Sequence, residues 1–461
     1  MDTLIMENFR CFAGRWEIPL APLTLLVGEN SSGKTSFLAA VRAAWDAVQE
    51  PMVGRLPVNE VPFKLGAFDQ LVYDPPESKS DKPTWFSLGT TLPAHAVGAR
   101  QRALPGMEPP RIGSISVEKR FIGREGVPAE NETVVRGTES LSGQTARLIV
   151  GSDEDSFRLQ LTFGRDSWER HDPRVYYGLR RWGRLIDRGL DDEGVWPGLP
   201  ANLVDIAGIL ASNVSRVAPE GTRPYAFGPV RSNPERTYDP LRADLEDEGQ
   251  RAALRLAEAF TRARLDDGLI HRLESFGNES GMFDSIDVRL FGGRADPFQV
   301  NFSVRDAVRN LVDLGYGVSQ VLPILVELLL PSDQSLRRGG RTHTYLIQQP
   351  EVHLHPRAQA ALASLFSKLS NQHRQILVET HSDYIIDRIR MDVRDGLGAA
   401  PSDVSLLFFE PTGKGTKIHR LRFTNAGDVV GVGPDGEDTD VPEGYRSFFL
   451  RESYRSAFGP D

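Results

Sequence analysis

A glycine-framed run constrains this chain more than any other feature in it. Gly28-Glu-Asn-Ser-Ser-Gly33-Lys34-Thr35 fits the pattern G-x-x-x-x-G-K-[ST]. Gly28 and Gly33 let the backbone curl without a Cβ clash, so successive N–H groups point inward as an anion nest. Lys34 sets a positive charge against β and γ phosphates, and the Thr35 hydroxyl is a ligand for Mg²⁺. The context agrees. Leu23-Thr-Leu-Leu-Val27 is the continuous apolar run of a buried strand, and 35–48 has helical spacing at Phe37, Val41, Ala44 and Val48. A helix N-terminus therefore follows the loop and adds its partial positive charge. The residues expected to contact a nucleoside triphosphate, ATP or GTP, are Asn30, Ser31, Ser32, Gly33, Lys34, Thr35 and Ser36.

The remainder is of average globular composition. Its 461 residues, 40% hydrophobic and 25% charged, suffice for one large or roughly two to three ordinary domains. One cysteine, Cys11, excludes a disulfide framework and fits a reducing cytoplasm. The opening residues alternate and carry neither a basic n-region nor a cleavage site. The longest apolar stretch, Val321 to Leu330, contains Pro323 and Glu327 and falls short of the roughly 20 residues of a membrane span. A cytoplasmic protein outside the membrane is expected. The net charge of -9 argues against wholesale coating of nucleic acid but leaves a local basic groove open. Two clusters suit such contact: Arg180-Arg-Trp-Gly-Arg184 near Tyr176 and Tyr177, and Arg337-Arg-Gly-Gly-Arg341. A solvated charged face is the competing reading of both.

Periodicity divides the chain. Ile5, Phe9 and Phe12 mark a first strand or edge hairpin, and 51–110, rich in Pro and Gly, reads as loops around short elements. Alternation from Arg111 to Phe163 predicts antiparallel strands. The pattern turns helical between Val175 and Ser215, then turn-rich over 223–240, and Leu241 to Phe276 is a charged amphipathic helical stretch. Strand patterning returns from Ile286. The tail, 403–461, reads as a hairpin around Gly413-Lys-Gly415 followed by polar loops.

Three later segments narrow the class: Asp313-Leu-Gly-Tyr-Gly-Val-Ser-Gln320, Tyr345-Leu-Ile-Gln-Gln-Pro-Glu-Val-His-Leu-His-Pro356 and Gln375-Ile-Leu-Val-Glu-Thr-His-Ser382. They resemble, in order, the signature motif, the Walker B strand with its D-loop, and the switch histidine of ABC ATPases. The set is most similar to the prokaryotic RecF/SMC/OLD-like (AAA-like) group, which includes stand-alone proteins of anti-phage defence systems. The likeness covers 1–48 and 300–390 and extends weakly to Gly228-Pro-Val-Arg231, Pro234-Glu-Arg236 and Pro442-Glu-Gly-Tyr445.

The resemblance implies an α/β fold: an ABC-type P-loop NTPase head with a mixed sheet and flanking helices, and a mixed α+β insertion between Walker A and signature motif. The expected divisions are 1–50 and 286–395 for the two halves of the head, 51–285 for the insertion and 396–461 for the C-terminal hairpin and tail. It also implies ATP and Mg²⁺ as cofactors. Gly315, Gly317 and Ser319 would begin a helix whose dipole faces the γ-phosphate on a partner copy, giving a two-fold homodimer, with higher assembly left open. His381, just past a strand ending at Glu379, is placed to hydrogen-bond the γ-phosphate. Gln70 is a candidate Q-loop ligand that joins Thr35 and Gln348 at Mg²⁺, or else an exposed loop glutamine. Arg231 and Arg236 suit either a phosphate or partner carboxylate, or surface salt bridges. His353 and His355 lack a third nearby ligand and are not read as a metal site.

The chain departs from the family at Walker B, where an Asp-Glu pair is replaced by Gln348-Gln349. An amide oxygen is a poorer ligand for a hard dication than a carboxylate, and a glutamine cannot act as a base, a loss of about 10²–10⁴ in rate. Either turnover is slow and ATP acts mainly as glue, the favoured reading, or Glu351 substitutes. Extended backbone would put Glu351 on the same side as Gln349. The candidate catalytic set is Gln349, Glu351 and His381.

Two functions follow. The first is an ATPase that dimerises on ATP and regulates or scaffolds a partner effector, such as a nuclease encoded nearby, in anti-phage defence. The alternative is a RecF-like DNA-binding repair clamp. A transporter nucleotide-binding domain is the third and weakest candidate, disfavoured by the size of the insertion and the form of the signature.

Overall fold

Runs of residues buried at every position, rather than alternating, build the sheet that carries the glycine loop. The computed structural model describes residues 1–49, 56–75, 82–92, 112–139, 143–152, 157–172, 199–200, 203, 206–207, 210, 222–231, 233–244, 247–261, 267–293, 295–329, 343–371, 373–445 and 447. They fall into two compact units.

The unit with the glycine loop comprises 21–34, 224–410 and 418–461. Its main sheet runs Tyr225–Phe227, His343–Gln348, Arg374–Glu379, Leu23–Gly28, Val404–Thr412, Gly415–Phe423, Val429–Val432, Asp438–Thr439. The first five strands are mutually parallel, and the last three pair antiparallel. Every residue of Leu23–Gly28 and of His343–Gln348 is buried, as expected of parallel strands covered on both faces. Helices Glu248–Thr261, Asp267–Ser280, Tyr316–Leu329, Pro356–Leu369 and Asp383–Asp395 belong to this unit. Ile324, Leu325, Leu362, Phe366, Ile385 and Ile389 from three of them join the strands' Leu25, Ile347 and Val378 in one core. A three-stranded antiparallel sheet, Ser285–Leu290, Phe298–Val304 and Ala307–Asn310, completes the unit.

Local chemistry sets the helix ends. The His355 side chain accepts from Ala358 N–H, with Pro356 in the first turn. Ser382 caps Asp383–Asp395, and Gly396 closes that helix at φ 66°.

The other unit comprises 1–20, 35–223 and 411–417. Its sheet runs Phe12–Pro19, Thr3–Phe9, Trp85–Leu92, Ile112–Arg124, Val127–Glu139, Thr145–Ser152, Phe157–Phe163, Asp166–Asp172, antiparallel throughout. Alternation decides its faces. Ile115, Val117, Val135, Leu148, Val150, Leu159 and Leu161 bury one side with Leu203, Ile206 and Leu210. Glu118, whose partners are Arg136 and Arg15, lies on the other.

The fold is therefore mixed α/β with large sheets and a mixed head sheet. Trp85–Leu92 is a short element within the loop-rich 51–110 segment, its backbone satisfied by a neighbouring strand on each side. The helical stretch read over 241–276 holds Glu248–Thr261 and most of Asp267–Ser280. After 424, where polar loops were read, Val429–Val432 and Asp438–Thr439 form two further strands. Most of the 175–215 helical pattern and both basic clusters, 180–184 and 337–341, lie outside the described residues.

Candidate functional site

The parallel strands bring their carboxyl ends together, the place where open α/β sheets take ligands. Gln348 is level with Glu379, and Glu379 with Leu26, so Gly28, Thr380 and Gln349 leave neighbouring strands at one edge.

Gly28 has φ +144°, and a Cβ there would stand 2.4 Å from the Phe409 carbonyl oxygen. Ser31 and Gly33 also adopt positive φ, so the loop is held curled by its own backbone. Ser32 and Lys34 are buried, whereas Asn30, Ser31 and Thr35 are exposed and Gly33 and Ser36 half-buried. The Lys34 Nζ donates to Gly28 O at 2.9 Å, Glu29 O at 2.6 Å and Ser32 Oγ at 3.4 Å. Burial lowers the ammonium below its usual value, against the pull of Glu379, Glu351 and Glu29. A cradle with no room for a Cβ and a buried cation at its base fits a polyphosphate.

Gln348 is 5% exposed, and its side-chain Nε2 has no hydrogen-bond partner among the described residues. The strand ends there. Gln349 turns to φ 40° and donates its N–H to Glu379 O at 2.8 Å. The extended geometry that would align Gln349 with Glu351 is therefore absent. Glu351 reaches the site through a turn: its Oε1 accepts from the His381 N–H at 2.7 Å. Its Oε2 is buried with no partner among the described residues. Burial raises the Glu351 carboxyl, opposed by bonds from His381 and Thr380 and by the charge of Arg231. Burial, then Lys34, holds the His381 imidazole below its usual value, so it is neutral at pH 7. Its Nε2 also lacks a partner among the described residues. The edge thus carries an amide N–H, a carboxylate oxygen and an imidazole nitrogen that nothing among the described residues engages.

The signature segment has an uneven surface. Gly315 is exposed and a Cβ there would meet nothing, whereas a Cβ at Gly317 would stand 2.7 Å from His353 O. Ser319 lies in the next turn, 6% exposed, and donates its hydroxyl to Tyr316 O at 2.8 Å. The exposed tip consists of Gly315 and Tyr316, whose hydroxyl meets Asn233 Oδ1 at 2.5 Å.

Gln70 belongs to the other unit. Its Oε1 accepts from Ala67 N–H at 3.1 Å, and Gly66 leaves it the room to do so. The oxygen proposed for Mg²⁺ is thus committed to its own helix start. His353 packs edge-on to Tyr316, and His355 caps a helix. Among the described residues no group of three or more His, Cys, Asp or Glu is arranged for a metal.

Arg236 pairs in bidentate fashion with Asp313 at the surface, in line with the salt-bridge reading. Arg231 is different. At 3% exposure it is not a surface residue, and its Nη2 donates to Gln348 O at 3.2 Å. Sequence reasoning passed over Gln320, Glu248 and Glu379. The only signal was that Gln320 directly follows Ser319 and that Arg231 follows a Gly-Pro turn.

Models of known families match two segments: an AAA ATPase domain over 268–386 and an AAA domain over 3–49. The two matches contain the later motifs and the glycine loop, so both segments are similar to ATPase domains of AAA type. No curated protein shows significant similarity. Among solved structures, the fold is similar to an Smc head bound to the C-terminal winged-helix domain of ScpA, at 11% identity, over 91% of this chain and 98% of that one, with TM-score 0.47. An Smc head with an extended coiled coil bound to the C-terminal domain of ScpA from Pyrococcus furiosus matches at 10% identity, over 91% and 96%, with TM-score 0.43. The SMC head domain from Thermotoga maritima matches at 12%, over 90% and 97%, with TM-score 0.35.

Proposed function

We propose that ATP bridges two copies of this chain head to tail, that turnover is slow, and that the long-lived pair regulates a partner effector. The observation that carries the bridge is Gly315. Nothing among the described residues would meet a Cβ at this position, and the residue sits exposed at a helix N-terminus. The chain's own packing gives no reason for a glycine there, whereas close approach of a partner's phosphate to a helix tip does.

Bound ATP would supply the γ-phosphoryl group and, with Mg²⁺, the charge to be neutralised. The glycine loop and Lys34 hold its phosphates, releasing the Lys34 bonds to Gly28 O and Glu29 O. His381, neutral, offers Nε2 to a γ-phosphate oxygen as a donor or to a water as an acceptor. Thr35 supplies an oxygen to Mg²⁺. Gln348 adds only a neutral amide, and Gln70 would first have to give up Ala67 N–H. Glu351 is, among the described residues, the carboxylate at this edge with an unpartnered buried oxygen, and it orients the attacking water. Anchored by its other oxygen and reached through a turn, it is a weaker substitute for the missing Walker B pair. Slow hydrolysis follows.

The effector reading rests on the likeness of the motif set to stand-alone ATPases of anti-phage defence. It predicts stoichiometric co-purification of a protein encoded nearby. Salt-steep binding of plain duplex DNA by the ATP-bound form would favour the repair clamp instead.

Gly315→Leu tests the bridge. The substitution should leave ATP binding by the isolated copy within about twofold and abolish the ATP-dependent rise in mass. A Gly315→Leu protein that associates on ATP as the wild type does would overturn the reading.

A further inference from the structure

Arg231 lies outside the signature and Walker B segments, yet its hydrogen bonds join the two. Gln320, in the second turn of the signature helix and 1% exposed, grips both main-chain polar groups of Arg231. Its Oε1 accepts from Arg231 N at 2.8 Å, and its Nε2 donates to Arg231 O at 3.3 Å. From the same residue the guanidinium Nη2 reaches Gln348 O at the end of the Walker B strand. A continuous line of hydrogen bonds therefore runs from the signature helix to the nucleotide edge inside one copy.

The guanidinium is too poorly satisfied to be a simple brace. Its Nε and Nη1 are buried with no partner among the described residues, as are Oε2 of Glu248 and Oε2 of Glu351. Both carboxylates attract it, without a bond to either. A buried ion whose only role is to fill space is often replaced by apolar side chains at no loss. A buried charge left largely unbonded between two acids is an arrangement with more than one set of partners.

We propose that Arg231 is a positioning residue that couples the two nucleotide surfaces of each copy. A shift of the signature helix, when the partner's ATP docks on its tip, moves Gln320 and with it the Arg231 backbone. The guanidinium carries that shift to the Gln348 main chain and into reach of Glu351, which orients the water for the copy's own ATP. Each site then senses the other. The inference rests on the ATP-bridged pair, since only a partner presents nucleotide to Gly315.

The test uses the full chain as wild type, Gln320→Leu, Arg231→Met, the double variant and Arg231→Lys. It reads ATP affinity, single-turnover γ-phosphate release and the Hill coefficient for ATP. Affinity of the isolated copy should stay within about twofold, while each single variant hydrolyses at least about tenfold more slowly with a Hill coefficient near 1. The double variant should be no slower than the worse single one, because both cut one line. Arg231→Lys, which keeps the charge but not the planar fork, should recover part of the rate. Losses that multiply in the double variant, or wild-type rates and Hill coefficients in both Gln320→Leu and Arg231→Lys, would overturn the coupling, even if Arg231→Met fails to fold. A wild type whose mass ATP leaves unchanged would instead sink the dimer. Multiplied losses in a wild type that does pair sink the coupling alone.

Discussion

Glu351 and His381 share one anchor: the carboxylate of the first accepts the main-chain N–H of the second at 2.7 Å. The two residues proposed to orient the water and to meet the γ-phosphate are thereby fixed relative to each other, although they follow the ends of two different strands.

Glu351→Gln keeps an oxygen for that N–H and removes the charge. Single-turnover release of γ-phosphate should fall by about 10², with ATP affinity little changed. Glu351→Ala leaves the His381 N–H without its acceptor and should also lower stability, by about 1–3 kcal/mol in denaturant titration. Unchanged hydrolysis in Glu351→Gln would remove the residue from the water-orienting role.

Restoring a carboxylate next door should act the other way. Gln349 already holds a left-handed backbone, which Glu tolerates no worse than Gln. Gln349→Glu is therefore expected to raise turnover on the order of tenfold to a hundredfold, the low end of general-base catalysis. A rate equal to that of the wild type would show that the missing base does not limit it.

The two signature glycines should part company. Gly317→Ala places a methyl 2.7 Å from His353 O and 3.3 Å from Leu354, so the helix start must shift, at about 1–3 kcal/mol of stability. Gly315→Ala meets nothing and should fold as the wild type does. Equal midpoints for the two variants in urea would contradict this packing.

Stability should also depend on pH through Glu248, which burial pushes up to about 7 against the pull of Arg231 and Arg251. The ordinary value is 4.5, so the folded chain holds this proton more tightly than the unfolded chain does. Its contribution is complete below pH 4.5, is lost as pH rises toward 7, and does not change further above that. Glu248→Gln should flatten the stability profile across that window, by up to about 1.4 kcal/mol per pH unit. Identical slopes in wild type and variant would contradict it.

Much of this was legible in the residues. The continuous apolar run at 23–27 announces a buried strand, the later motifs place strand ends at Ile347 and Glu379, and the strand–glycine loop–helix order at 23–48 announces the cradle. Alternation did the same for 112–163. What could not be read was tertiary: that Gln349 would turn out of the strand, that Gln70 would spend its oxygen on Ala67, and that Arg231 would be buried behind Gln348. Each depends on what the fold brings alongside, which spacing does not encode. Nor could spacing show that the Ser319 hydroxyl would turn back to Tyr316 O.

The bridge itself is tested most directly by molar mass in solution, by light scattering, for wild type and Lys34→Ala with and without ATP. The wild type should double its mass on ATP and return to one copy when nucleotide is removed. Lys34→Ala, lacking the cation at the base of the cradle, should stay at one copy throughout. A wild-type mass that ATP leaves unchanged, or a Lys34→Ala protein that doubles equally, would contradict an ATP-bridged pair.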